Sequence, residues 1–417
     1  MVSPRSAAPT PSLRQLLHPA VIVGALGYFV DIYDLILFSL VRVPSLRDLG
    51  FTGEQLTDYG LLLINLQMVG MLVGGIVFGI VGDRLGRVTL LFGSILLYST
   101  ANIANGLVHS IEAYAVWRFI AGVGLAGELG GSITLVSEVL PKEIRAYGTT
   151  IVATVGVFGA VVGGLVADLV PWRTAYFIGG GLGLALLALR VSVAESGMFN
   201  QVKADAGVAR GNFLSLFTSR KRFLKYTRCI LIGLPSWFVI GILVTFAPEF
   251  AAALGVQGEV KTAARAVAFA YLGLTVGDFA SGWLSQRLGT RKKIVFAFLL
   301  LTSAAITAYL LSRGVSVPVF YALVFLLGLG MGYWAVFVTI GAEQFGTNIR
   351  ATVATSVPNF ARGALVPITM VFTWAKGHFG LLPSAAMVGA GCIAIAFWAL
   401  SGLEETHGKD LDYTEPL

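Results

Sequence analysis

Gly79-Ile-Val-Gly-Asp83-Arg84-Leu-Gly86-Arg87, a short polar run between two long apolar stretches, occurs twice in this chain of 417 residues. The second copy is imperfect: Gly282-Trp-Leu-Ser-Gln286-Arg287-Leu-Gly289-Thr-Arg291-Lys292. Another pair keeps the same phase. Glu138-Val-Leu-Pro-Lys-Glu-Ile-Arg145 and Glu343-Gln-Phe-Gly-Thr-Asn-Ile-Arg350 are 205 positions apart at both ends (138 to 343, 145 to 350). Duplication of one unit explains both repeats. In a membrane protein, two parallel halves of equal topology predict a carrier whose substrate site lies between them near the bilayer midplane.

The surroundings of the repeat place it in a membrane. Of all residues 56% are hydrophobic and 12% charged, about half the charged fraction of a soluble domain. Pro19 to Leu40 holds Asp31 and Asp34 as its only charged residues, and is long enough to cross roughly 30 Å of hydrocarbon. Working outward from the two motifs, the apolar runs predict spans at 19–42, 60–80, 88–108, 113–137, 147–169, 173–193, 225–247, 263–283, 293–312, 317–340, 351–374 and 383–403. The expected fold is an all-α membrane protein of twelve transmembrane helices in two pseudo-symmetric six-helix bundles. The bundles are expected at 1–193 and 225–417, the second with a cytoplasmic tail, joined by a polar cytoplasmic linker at 194–224. About two thirds of the 29 Lys and Arg then fall on the cytoplasmic side, which satisfies the positive-inside rule with both termini inside. The net charge of +7 is this loop bias and not a nucleic-acid footprint. Residues 1–18 lack the apolar core and cleavage site of a signal peptide and read as a cytoplasmic tail. Cys229 and Cys392 sit in separate apolar segments and read as buried free thiols.

The motifs resemble those of major facilitator superfamily transporters, and the resemblance runs over essentially the whole chain. The Gly79 to Arg87 loop is specific to that superfamily. The fourth span, Arg118-Phe-Ile-Ala-Gly122-Val-Gly124-Leu-Ala-Gly127-Glu128, with the following Glu138 to Arg145, is similar to the branch of sugar porters, metabolite:proton symporters, aromatic-acid symporters and niacin-like transporters. Trp172-Arg173, Glu195-Ser196 and Glu405-Thr406-His407-Gly408-Lys409 fit the same branch. Asp31-Ile-Tyr-Asp34 resembles the Asp-x-x-Asp of its niacin-like and aromatic-acid members, and Ala361-Arg362-Gly363 the arginine of its organic-ion members. The paired glutamines of sugar porters are missing from the seventh span, and the drug-antiporter glycine motif of the fifth span has Ala160 in place of its proline.

Ionisable groups inside the membrane carry the functional reading, because each costs about 2.5–3.5 kcal/mol unless paired or facing a wet cavity. Asp34 lies about 15 residues from the inner end of span one, roughly 22 Å up at about 1.5 Å per residue. Arg118, about 5 residues from the outer end of span four, falls at the same depth. The two are expected to face one another, either as a fixed salt bridge or as partners that separate when Asp34 is protonated. The resemblance to proton symporters favours the second. Asp31, one turn below Asp34, adds a second carboxylate to the proton-coupling set. Glu128 is too far below Arg118 to pair with it, and reads as a deeper proton site or a structural acid. Near the midplane of span eleven, Arg362 offers a flat fork of donors suited to a carboxylate, unless Asp278 neutralises it. Asn359, Tyr33, Gln67, Trp237 and Tyr333 complete the expected substrate-binding set, with Asn65 and Trp334 as further pocket wall.

At the cytoplasmic face Gly79, Asp83, Arg84, Gly86, Arg87, Glu138, Arg145, Arg287, Glu343 and Arg350 are expected to form gating networks, beside a topogenic role for the arginines. Clustered glycines in spans two, four and five allow close helix packing or rocking. The expected function is proton-coupled symport of a small organic anion, a monocarboxylate or aromatic acid, by a monomer in a bacterial inner membrane. Its partners would be the substrate, protons and the lipid bilayer, with no nucleic acid. A proton:sugar symporter and a proton-coupled exporter or antiporter are the rivals. No cofactor or metal is expected, since no Cys/His cluster or nucleotide loop is present, and the polar segments are too short for an enzyme's active site.

Overall fold

A computed structural model describes residues 17–52, 55–141, 144–190, 211–258, 260 and 263–416. The N-terminal tail to residue 16, Glu195-Ser196 and most of the expected linker lie outside the described residues. Within them the chain is helical, apart from one isolated bridge between Gln257 and Ser316.

Among the described residues eleven helical segments are long and apolar enough to cross a membrane, beginning with Pro19–Asp48 and ending with Leu381–Ser401. A bilayer core offers no water to backbone N–H and C=O groups, so each crossing satisfies them within its own helix. The missing crossing is the eleventh expected span. It forms two helices, Arg350–Gly363 and Leu365–Phe379, that meet at Ala364. The first carries Arg350, Thr352, Thr355, Ser356, Asn359 and Arg362 and is almost wholly buried. It is too polar to score as a membrane span because it faces protein rather than lipid. With it counted, the twelve expected crossings are present.

Span two shows how one helix serves two environments. Val69, Val73 and Val77 form an exposed stripe at i, i+4 spacing, the lipid-facing side of the helix. Its other faces are lined by glycine. Gly70 and Gly74 lie against the backbone of Phe119 and Val123 in span four, and Gly79 against Thr352 in span eleven. Short loops connect the spans, and glycine makes the tightest of them possible. Gly86 and Gly289, at matching places in the two motif copies, adopt φ of 116° and 64°, a region closed to most residues with a Cβ.

Spans four and ten are each interrupted near their middle. Span four is Ile111–Leu125 followed by Glu128–Val139, and span ten is Val317–Met331 followed by Trp334–Glu343. Span seven begins at Arg220, breaks at Ile232-Gly233 and passes through a π-helical turn at Val239–Val244. Such breaks release backbone groups and admit polar side chains to the interior. Several of the expected site residues collect around them.

Candidate transport pathway

The face that carries the two motif loops and the C-terminal tail, here the motif face, is where the halves are stapled together. Arg87 grips Glu138 with two hydrogen bonds, Nε to Oε2 at 3.0 Å and Nη2 to Oε1 at 2.9 Å. The second half repeats the pair: Arg291 Nε donates to Glu343 Oε2 at 2.6 Å and Nη2 to Oε1 at 2.8 Å. Arg287 takes no part in that pair; its guanidinium stacks over Trp283 at 5.0 Å. Arg291, four positions beyond Arg287, is the counterpart of Arg87.

Hydrogen bonds cross from half to half at this face. Arg350 Nη1 donates to Glu138 Oε1 at 3.0 Å, and Arg87 Nη2 to the Thr347 carbonyl at 2.9 Å. The Ala351 and Thr352 amides donate to the two oxygens of Asp83 at 3.0 and 2.8 Å. Asp83 thereby caps the N-terminus of a helix in the other bundle, where an anion is favoured by the free N–H groups and the helix dipole. Arg87, Glu138 and Arg350 are fully shielded from solvent. Removing one member of such a buried set costs about 3–5 kcal/mol, because the remaining charges are left without a partner. Gly130 meets the backbone of Ala354 and Thr355 so closely that a Cβ there would collide. Arg145 is buried near Glu343, which offsets part of the burial cost to its guanidinium. Arg84 is exposed at the rim, beside Gly211, where an added Cβ would stand 3.0 Å from its Cγ.

The C-terminal tail braces the same seam. The Leu411 carbonyl accepts from Arg350 Nη2 at 2.5 Å and from Thr347 Oγ1 at 3.1 Å, and Asn348 is bonded to both backbone groups of Glu415. Burial pushes the Glu405 carboxyl up. Hydrogen bonds from Thr290 and from the backbone of Arg291, His407 and Lys292 outweigh burial and hold it below the usual range.

Above the seam a cavity of about 390 Å³, open solvent included, lies between the halves. Tyr28 and Ile32 of span one face Trp237 of span seven, Tyr271 of span eight, Trp334 of span ten and Arg362 of span eleven. The Arg362 guanidinium is 5.9 Å from the Trp334 ring centroid and 6.0 Å from that of Trp237. It is 2% exposed, donates to Asn359 Oδ1 at 3.2 Å, and has no carboxylate within 4.0 Å among the described residues. Asp278 does not neutralise it; that carboxylate accepts from the Ala335 amide at 3.0 Å and caps the second half of span ten. Nearby polar atoms are left over: Ser236 Oγ, Trp237 Nε1 and Arg362 Nε have no hydrogen-bond partner.

Several expected pocket residues lie elsewhere. Tyr333 is fully buried, with its hydroxyl on the Ile232 carbonyl at 2.9 Å; its neighbour Trp334 takes the cavity wall. Tyr33 is likewise buried with its hydroxyl on Ala175 at 3.0 Å, and Tyr28, more than a turn below, lines the cavity instead. Gln67 is hydrogen-bonded to Arg118, away from the cavity, and Asn65 is exposed.

In the N-terminal half Asp34 and Arg118 are both fully buried but form no ion pair. Arg118 is held by Gln67 Oε1, by Tyr176 Oη at 3.5 Å and over the Phe38 ring at 4.7 Å. Asp34 packs against Gly179 with Asn102 beside it, and neither of its oxygens has a hydrogen-bond partner; the same holds for Asp31. Equal depth brought the two side chains to one level, but depth carries no information on helix rotation. Glu128 pairs with Arg190 from the end of span six, which also donates to the Leu91 carbonyl at 2.8 Å. Arg190 reads in sequence as a loop-margin charge. Its position 62 residues from Glu128 gives no local signal of the pair.

A family model of the Major Facilitator Superfamily matches residues 24–369. The chain is 26% identical to the niacin transporter NiaP of Acinetobacter baylyi over 94% of this chain and 94% of that protein. It is 24% identical to the gentisate transporter of Corynebacterium glutamicum, over 93% of this chain and 88% of that one. Among solved structures it resembles the proton:xylose symporter XylE bound to 6-bromo-6-deoxy-D-glucose, with a TM-score of 0.71 at 16% identity, covering 94% of this chain and 97% of the other. That likeness is one of fold.

Proposed function

The chain belongs to the major facilitator superfamily and is an integral membrane transporter, not an enzyme; from that premise we propose that it takes up a small organic anion with protons by alternating access. The anion is a monocarboxylate or aromatic acid. The observation that carries this reading is Arg362: a buried guanidinium with no carboxylate within 4.0 Å among the described residues, between two indole rings, at the wall of a cavity between the halves. A buried cation left without an anion is costly, and a substrate carboxylate is its natural complement. The flanking aromatic faces and the free N–H of Trp237 suit a flat ring. The relatives that carry niacin and gentisate support the same class.

Protons are carried by Asp34 with Asp31. The geometry around Arg118 fits the half of the cycle in which Asp34 is protonated and Arg118 has moved to Gln67 and Tyr176; loss of the proton would draw Arg118 back. Glu128, paired with Arg190, is assigned the structural role. The two bundles correspond to residues 1–193 and 225–417, with 194–224 as linker, and they rock as units. Their seam at the motif face is the cytoplasmic gate, both termini are cytoplasmic, and the carrier works as a monomer in a bacterial inner membrane.

Purified protein in proteoliposomes tests this. External alkalinisation on adding nicotinate or gentisate, lost in Arg362→Ala and Asp34→Asn, is the expected result. Uptake of xylose that survives in Arg362→Ala would replace the anion reading with a sugar one, and anion uptake without proton movement would remove the coupling.

A further inference from the structure

We propose that Asn359 is a positioning residue that couples the anion-holding arginine to the seal between the bundles. This role presupposes that Arg362 holds the anion. The Asn359 side chain is committed at every atom. Its Nδ2 donates to the Thr355 carbonyl of its own helix at 2.7 Å and, across the seam, to the Ala126 carbonyl at 2.8 Å. Its Oδ1 accepts from Arg362 Nη1 at 3.2 Å. An amide has two N–H donors, and two carbonyls receive them. Flipping it would set oxygen against both carbonyls, so the orientation that offers Oδ1 to Arg362 is fixed by the seam itself.

The location explains what the network does. Ala126 lies in the break of span four, between the helices that end at Leu125 and begin at Glu128. Span two closes in from the third side, where a Cβ at Gly75 would stand 3.1 Å from Asn359 Cβ. One turn of span eleven thus connects the cavity, through Arg362, to the opposing bundle. If the motif face is to open, span eleven must leave Gly130 and Ala126, and Asn359 loses the acceptor that fixed its amide. Conversely, an anion that occupies the Arg362 fork competes with Oδ1 and frees Asn359 to let go of the seam. Because a ligand shifts a conformational equilibrium only by binding its states unequally, such a shared contact gives the anion leverage over the gate.

The test separates binding from turnover. Nicotinate and gentisate serve as probes, with tryptophan fluorescence for binding and initial uptake into proteoliposomes for turnover. A Thr355→Cys reporter opposite Gly130 is labelled with a maleimide without substrate, in protein whose own Cys229 and Cys392 are buried. Asn359→Ala is expected to keep Kd within about threefold, to lower the maximal rate by roughly tenfold or more, and to raise reporter labelling several-fold. Asn359→Asp, of the same size, guards against a folding failure: its carboxylate is repelled by both carbonyls and turns onto Arg362, so binding is expected to fall by roughly thirtyfold while labelling rises. A fall in affinity matching that of Arg362→Ala, with reporter labelling unchanged, would make Asn359 a substrate ligand and overturn the proposal. So would Asn359→Asp protein that binds and labels as the wild type does. Wild-type probe binding in Arg362→Ala would instead remove the anion site on which this role stands, a result that the substrate-free labelling does not share.

Discussion

The two halves descend from one repeated unit, yet they have kept opposite buried charges. The N-terminal half holds carboxylates, Asp31 and Asp34, whose oxygens have no hydrogen-bond partner, and an arginine, Arg118, taken up by Gln67 and Tyr176. The C-terminal half holds a guanidinium, Arg362, with no carboxylate within 4.0 Å among the described residues, and a carboxylate, Asp278, spent on capping a helix. At the motif face the halves remain alike, with Arg87–Glu138 and Arg291–Glu343 in the same bidentate geometry. Where both halves do the same mechanical work the duplication is preserved. Where the proposed cycle has one half carry protons and the other an anion, the charges have diverged.

The largest effect is expected where the halves meet. Glu138→Ala strands Arg87 and Arg350 in the seam and should destabilise the closed motif face by about 3–5 kcal/mol, read as a lowered melting temperature and increased labelling of cysteines placed along span eleven. A variant as stable and as unreactive as wild type would mean that the seam does not depend on this network. Next in size is Arg362→Ala, which removes a charge-assisted contact worth about 1.5–3 kcal/mol, a loss of roughly 10- to 150-fold in affinity for nicotinate or gentisate. Arg362→Lys keeps the charge without the fork and should fall in between.

The two half-specific acids give the sharpest contrast. Asp34→Asn should abolish uptake driven by a pH gradient while leaving exchange of labelled for unlabelled anion intact. Asp278→Asn keeps an oxygen for the Ala335 amide, and transport should stay within about threefold of wild type. Equal loss in both variants would refute the division of roles between the halves. The smallest effect concerns the tail. The Glu405 carboxyl is held below its ordinary value, so its contribution to tail docking is present above the unfolded value of about 4.3 and lost as pH falls through the lower folded value. Proteolysis of the tail should therefore increase only in that acid window, and Glu405→Gln should remove the dependence.

The architecture was legible because it rests on properties local to the chain. Apolar runs of membrane length located all twelve crossings, including the eleventh, whose first helix is polar because it is buried in protein. Loop residues were legible for a similar reason, since Glu138, Arg145, Glu343 and Arg350 occupy equivalent places in the repeat. Arg291, and not the expected Arg287, takes the place of Arg87, because register within a loop depends on the turn at Gly289. Which pocket residues face the cavity was least legible: Trp237 and Trp334 line it, while Tyr33 and Tyr333 point elsewhere and Tyr28 takes a place on the wall, because facing depends on helix rotation at 100° or so per residue.

By itself the sequence determined the solvent of this protein, the number and order of its crossings, its twofold repeat and the presence of charges too costly to be idle in a membrane. Each follows from composition or spacing along the chain, and transfer of apolar and charged groups into lipid is a property of the residues themselves. Only the tertiary structure decided which charges meet: Glu138 with Arg350, Glu128 with Arg190, Arg118 with Gln67, and Arg362 with Asn359 rather than a carboxylate within 4.0 Å among the described residues. Pairing depends on the rotation of each helix about its axis and on its neighbours across the bundle. Those are fixed by the packing of all twelve crossings together.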